Sequence, residues 1–370
     1  MNYKPERKRE SKLLELLESD DEVMSEQEHR ETSKCQYFGD LAEVFLDRVV
    51  HLGRPYARVD ILFDRYRPKS IKSGSRCRRT RRAAPVRRDI TSAAIPLPKD
   101  WKNFLALGEN KAELARFLSQ EVVQHIFEAI EVVFSGGLIH EDDVRSTNTE
   151  SDVSAFAATH EEADKRVLLY AVHSDVDNIV VMARDTDICL LLIHHSDKMT
   201  SSKVWMMSDT AKKRKYLSVH EICKILPNAQ KKNILAFHAV TGCDSTSDLA
   251  TITKKAAWKV SNGMACQLLD NLGHSPLTPS SKANAEKFLV QLYKVAKDLS
   301  NGDQARHQLF GVKEPEALPP TNNAQCAATT PLKMPLLDPN IVCFDKKRKK
   351  KNKKPPQCGT SEHTLGNRDC

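Results

Sequence analysis

The stretch Asn178–Ile193, NIVVMARDTDICLLLI, decides how the rest of the chain is read. A β-branched apolar run climbs to Asp185 and Asp187, and a second apolar run leaves, ending at His194 and His195. The first run reads as a buried strand. Two carboxylates one residue apart at its mouth are out of place in a core. In an open α/β sheet, the carboxyl end of a strand is where ligands sit. Three other acidic points can be argued to converge there: Asp64, the pair Glu162 and Asp164, and Asp244.

Toward the N-terminus, Thr159–His173 reads as a helix opened by a capping box, with Thr159 at the cap and Glu162 three residues on. Val122–Phe134 is mainly apolar and is broken by Gly136 and Gly137; Trp101, Phe104 and Leu105 recur at helical spacing and belong in the core. Val59–Phe63 reads as a strand that ends in Asp64, and Leu41–Val50 as a helix with Asp40 placed to cap it. Toward the C-terminus, Val204–Met207 and Tyr216–Ser218 read as short strands, and Ser218 with Glu221 forms a second capping box. Lys231–Val240 is helical and stopped by Gly242, with further helices over Ser247–Val260 and Ala283–Leu299. Strands alternating with helices predict an α/β domain over residues 36–322. The expected architecture has three layers, with a mainly parallel central sheet and helices on both faces. Residues 1–35 are charge-rich and 323–370 form a basic tail, both expected to be disordered.

Hydrophobic residues make up 40% of the chain and charged residues 29%, as in soluble globular proteins with polar tails. No run approaches the length of a membrane span, and the densely charged start argues against a signal peptide. The ten cysteines are scattered without a C-x-x-C pair, which points to a reducing compartment and gives no reason for zinc. The net charge of +8 is uneven. The run Lys346–Lys354, KKRKKKNKK, holds eight basic residues, and Arg65–Arg88 holds eleven with no acid. An acidic body therefore carries two basic appendages, an arrangement that suits a metal site approached by a polyanion.

Phosphodiester hydrolysis by two metal ions needs carboxylates around ions about 4 Å apart. Magnesium accepts few protein ligands and keeps waters, so its acids come from separate strand and helix ends. Asp64 at a strand end, Glu162 and Asp164 at a helix start, Asp185 and Asp187 after the central strand, and Asp244 after Gly242 meet that description. Each has an ordinary alternative. For Glu162 it is the capping box alone, for Asp185 and Asp187 a turn or the cap of the next segment, for Asp244 the cap of the Ser247 helix, and for Asp64 a pair with Arg65 or Arg67.

The order FDRYRPKS (63–70), HEEADKR (160–166), RDTD (184–187) and TGCDSTS (241–247) resembles the flap-endonuclease/XPG-like branch of the PIN-like nucleases. There a strand-end F-D-G, an E-A-E helix start, a D-x-D and a G-C-D turn supply most metal ligands. The resemblance assigns those roles to Asp64, to Glu162 and Asp164, to Asp185 and Asp187, and to Asp244. It implies a nuclease that uses a pair of Mg²⁺ or Mn²⁺ ions on DNA or RNA, with no small-molecule cofactor. The longer phrases HEEAD, DTD, HAVTGCD and LPPT are more similar to a set of often repeated animal proteins linked to mobile elements. The resemblance spans about Tyr37 to Thr321.

Three features depart from the pattern. No strand upstream of Asp64 carries the family's first metal aspartate. After G-C-D the family has a G-x-G that lets backbone amides approach a phosphate, whereas Leu249–Lys255 here reads LATITKK, and Thr does not readily take the φ > 0 that Gly allows. Lys165 also follows Asp164, where it can pair with a ligand. A non-catalytic nucleic-acid-binding or regulatory protein of the same fold is therefore the alternative, and a protein-interaction module with structural acids a third.

Arg65, Lys72, Arg76, Arg78 and Arg79 in the first basic stretch, with Lys254 and Lys255 after the G-C-D turn, are the expected phosphate contacts. The alternative for that stretch is a solvated loop, since Tyr66 is its only aromatic residue. The run 346–354 reads as a nuclear-localisation signal or as plain polyanion affinity, with a cytoplasmic location otherwise. His160 adjoins the proposed site, His194 and His195 read as surface imidazoles at a strand end, and His238 as a core histidine.

Overall fold

The computed structural model describes residues 35–66, 86–160, 162–183, 185–210, 213–243, 249–262, 264–272, 278–293, 299, 301–319 and 340–344. The first helix, α1 (Phe38–Gly53), starts where the Asp40 carboxylate accepts from the amides of Gln36 (2.7 Å) and Tyr37 (3.0 Å). Those two bonds hold the Asp40 carboxyl below the usual range. β1 (Arg58–Leu62) follows, then α2 (Trp101–Ala106) and α3 (Gly108–Gln124). Asn110 is fully buried on α3 and ties down the segment leading into α2, accepting from Arg88 N and donating to the carbonyls of Val86 and Phe104.

β2 (Glu131–Ser135) and β3 (Val144–Ser146) are joined through Gly136 and Gly137, both at positive φ. A Cβ on Gly136 would stand 2.6 Å from the Phe63 carbonyl oxygen, so this turn accepts only glycine there. Next come α4 (Ala163–His173), β4 (Asn178–Met182), α5 (Thr186–His194), β5 (Lys203–Thr210) and β6 (Lys213–Ser218). The chain continues through α6 (Val219–Ile225), α7 (Asn228–Thr241), α8 (Lys254–Ser261), α9 (Pro279–Leu292) and α10 (Gly302–Leu309), and last comes β7 (Asn340–Phe344).

The class is mixed α/β, but the sheet is not mainly parallel. Its order is β3-β2-β1-β7-β4-β5-β6. Only β1 with β2 and β4 with β5 pair in parallel; β3, β6 and β7 run against every neighbour. Two three-stranded parts are thus joined through a strand from the tail. This overturns the expectation of a tail disordered throughout 323–370, because Asn340–Phe344 pairs with β1 on one side and β4 on the other. The five residues NIVCF have the β-branched and aromatic character of a strand despite the Lys- and Pro-rich sequence around them.

Side chains alternate along the strands between two apolar clusters. Val59, Ile61, Val132, Phe134 and Val180 pack with α1, α2 and α3, while Leu62, Val133, Ile179, Val181 and Met206 pack with residues of α4 to α9. Helix starts differ from expectation at several points: α1 begins at Phe38 and not at Leu41, and α8 at Lys254 and not at Ser247. α4 begins at Ala163 and not at Thr159, and Ser218 begins α6 without a side-chain cap bond, while Glu221 pairs with Lys224 (2.9 Å). The apolar run after Asp187 is helix α5, so His194 and His195 lie at a helix end. Burial pushes His195 down to about 4, with His194 and Lys198 adding to the shift.

Candidate functional site

Because β7 is antiparallel to both of its neighbours, β1 and β4 point the same way. Leu62 and Met182 end beside Asn340 and Ile341, so the carboxyl ends of the two strands flank the start of β7. Each strand step is about 4.8 Å, which sets β1 and β4 about 10 Å apart. Asp64 lies two residues past one end and Asp185 three past the other. Asp64, Glu162, Asp164, Asp185 and Asp187 are all partly exposed, neither sunk in the core nor out on the surface.

The left-hand part of the edge is built by α4. Its first amide, Ala163 N, donates to Asp64 Oδ1 at 2.8 Å, so the strand-end acid supplies what the expected Thr159 cap does not. Glu162 stands at the N-cap without capping by its side chain, and Asp164 lies in the first turn, where the helix dipole favours a carboxylate. One turn on, Arg166 is fully buried and donates from Nη1 to Ser135 Oγ (2.6 Å) and from Nη2 to the Phe63 carbonyl. Burial lowers it to about 10 and Arg65 pushes the same way, while Asp64 and Asp164 oppose both. Lys165 is exposed and makes no ion pair among the described residues, so it does not occupy the acids.

Arg65 corrects an expectation. Its sequence context predicts a place on the nucleic-acid face, but it is only 2% exposed, donating from Nη1 to Asp142 Oδ1 (2.7 Å) and to the carbonyls of Ala158 and His160. A guanidinium so enclosed fixes the loop before α4 and does not reach a phosphate. His160 takes part through that carbonyl, and its ring is exposed.

On the right, Asp185 caps α5, its Oδ1 accepting from Asp187 N at 2.8 Å. This is the ordinary capping alternative, realised without removing the acid from the edge. Asp187 is gripped from a third direction, by His238 on α7, with Nε2 2.7 Å from Oδ1. From its sequence context His238 is expected in the core. It is indeed buried (3% exposed), but its buried polar contact is with a candidate ligand.

Asp244, Lys72, Arg76, Arg78 and Arg79 lie outside the described residues. Lys254 and Lys255 open α8, with Lys255 exposed. Just before them Thr251 sits at φ +67, the conformation expected to be closed to it. A β-branched residue there is strained, and such strain gathers at functional loops.

Below the edge, Asp60 faces the α4 side of β1 at zero exposure, held by Arg58 through Nε (2.6 Å) and Nη2 (2.7 Å). Burial pushes its carboxyl up to about 7 against the pull of Arg58, with Glu131 adding to the rise. The Arg58 guanidinium lies over the Phe156 ring at 4.6 Å.

The oxygen donors of this edge suit hard cations such as Mg²⁺ or Mn²⁺ rather than zinc. Among the described residues, however, no three His, Cys, Asp or Glu side chains gather closely enough to hold an ion. What the fold brings together are two pairs, Asp64 with the α4 start and Asp185 with Asp187. Comparison of the chain with protein-family models, with curated proteins and with solved structures finds no match.

Proposed function

We propose that the carboxyl edge of the sheet is the site of a divalent-metal-dependent nuclease on a three-layer, PIN-like α/β fold. The observation that carries this reading is the shared edge: Asp64 bonded to the start of α4, with Glu162 and Asp164 beside it, and Asp185 with Asp187 across β7. Such an edge, with half-buried acids on helix starts, is where α/β proteins bind and transform ligands. The sequence resemblance adds Asp244, which lies outside the described residues, to the proposed ligands. Bound Mg²⁺ or Mn²⁺ would activate water and balance the charge of the phosphate. The chain's own part is to fix the carboxylates: α4 and α5 hold them by their first-turn amides, and Arg166 braces the Phe63 carbonyl next to Asp64. DNA or RNA is the substrate, drawn by the basic residues of 67–88 and by Lys254 and Lys255, and the run 346–354 directs the chain to the nucleus.

A second reading rests on the two buried guanidiniums. Arg65 and Arg166 already supply positive charge behind the acids, as in a protein that binds a polyanion without cutting it. One experiment separates the two: purified chain with Mg²⁺ or Mn²⁺ against flap, single-stranded and duplex substrates. Cleavage that is lost when Asp185→Asn and Asp187→Asn are combined, with an unchanged circular dichroism spectrum, supports the nuclease. Binding without cleavage of any substrate favours the second reading.

A further inference from the structure

We infer that His238 is a positioning residue for Asp187, holding one carboxylate oxygen so that the other is presented singly to a divalent cation. The inference rests on the nuclease reading of the same edge and adds a residue to it. His238 sits on α7, which packs directly against α5. Its Nε2 lies 2.7 Å from Asp187 Oδ1. Its Nδ1 is buried and has no hydrogen-bond partner among the described residues. A carboxylate only accepts, so the imidazole nitrogen that faces Asp187, Nε2, is the donor of this bond.

The rest of Asp187 is equally constrained. Its backbone amide donates to Asp185 Oδ1 at 2.8 Å, which fixes the turn it stands on. Its side chain is 17% exposed, against 4% for that of His238. The histidine is thus on the protein side of the carboxylate, and Oδ2 makes no hydrogen bond among the described residues. A carboxylate with one oxygen pinned from behind has lost the freedom to swing or to chelate with both oxygens. It is a preorganised, single-oxygen ligand, the form that octahedral Mg²⁺ and Mn²⁺ accept from an Asp. Groups that orient a metal ligand from behind typically govern affinity by about 10–100-fold.

The test uses the full chain and Mn²⁺ alone, with free Mn²⁺ read by electron paramagnetic resonance, in wild type, His238→Leu, His238→Gln and Asp187→Asn. Leu fills a similar volume without a donor, whereas Gln can place its Nε2 amide where the imidazole N–H was. Expected are a loss of about tenfold or more in Mn²⁺ affinity for His238→Leu, recovery to within about threefold for His238→Gln, and equal metal-free melting temperatures for the two. Recovery by Gln is the outcome a purely space-filling histidine does not give. Equal Mn²⁺ affinity in wild type and His238→Leu overturns the positioning role while leaving the nuclease reading intact. Absence of Mn²⁺ binding in wild type overturns both. If His238→Leu does not fold, the comparison of His238→Gln with His238→Asn decides: Asn is too short to reach Asp187, so equal affinity in those two also overturns the inference.

Discussion

Asp64 has two separable jobs, and substitution divides them. As acceptor for Ala163 N it closes the start of α4, and as a carboxylate it brings charge to the edge. Asp64→Asn keeps an oxygen for the amide and so should cost little stability while removing metal-dependent cleavage. Asp64→Ala should lose both, with a stability cost of about 1 kcal/mol in urea unfolding, as for other lost helix caps. Asp60 yields a pH prediction. Its carboxyl is raised to about 7 in the folded protein, so between the ordinary carboxyl range and pH 7 the folded state binds a proton that the unfolded state has released. This contribution to stability is fully present below about pH 4 and declines as pH rises to about 7, with a slope of about 1.4 kcal/mol per unit. Asp60→Asn should remove that slope from a series of urea titrations over this range. At this scale the sequence was readable for the acids, because carboxylates beside apolar runs are a local signal. The His238 contact was not, because its partner is 51 positions away and nothing on its own helix marks it.

Elements were legible where their pattern was unambiguous. Gly242 ends α7 at φ +104 as expected, whereas Asp40, expected as the cap of a helix from Leu41, instead stands in the first turn of α1 and reaches back to the amide of Tyr37. Helix α5 was not legible, since ICLLLI is apolar on every side and periodicity cannot tell a buried helix from a buried strand. The start of α4 was misplaced because its cap comes from Asp64, far upstream, and not from the neighbouring Thr159. Two element-scale tests follow from the turn and the tail. Gly136→Ala adds a Cβ 2.6 Å from Phe63 O at a residue with φ +87, and should destabilise by about 1–3 kcal/mol in thermal unfolding. Val342→Pro, whose position pairs with Asp60 on one side and Val181 on the other, should remove a ladder bond at a cost of about 1–3 kcal/mol. Hydrogen exchange should then quicken in β1 and β4 together while β3 and β6 keep their protection. Loss confined to one side would show that β7 bonds only half as described.

For the whole molecule, the separation of charge was visible at once, and the position of β7 was not. A five-residue run within a basic tail gives no local sign of entering the middle of a sheet, because what decides it is the pair of facing edges that β1 and β4 offer. The two basic stretches set a measurable property. Replacing Arg76, Arg78 and Arg79 with Gln should weaken nucleic-acid binding at low salt and flatten the slope of log affinity against log salt by about 2–3. An unchanged slope would remove these three from the contact surface.

The place of β7 bears on the order in which the chain can finish folding. During synthesis from the N-terminus, β1 and β4 emerge long before residues 340–344, so their inner edges face each other with backbone groups unsatisfied while roughly 150 more residues are made. Open strand edges are templates for pairing with neighbours. A nascent or prematurely stopped chain should therefore be the aggregating form of this protein, and ribosome-bound chains halted before residue 340 should engage holdase chaperones that the released chain no longer needs.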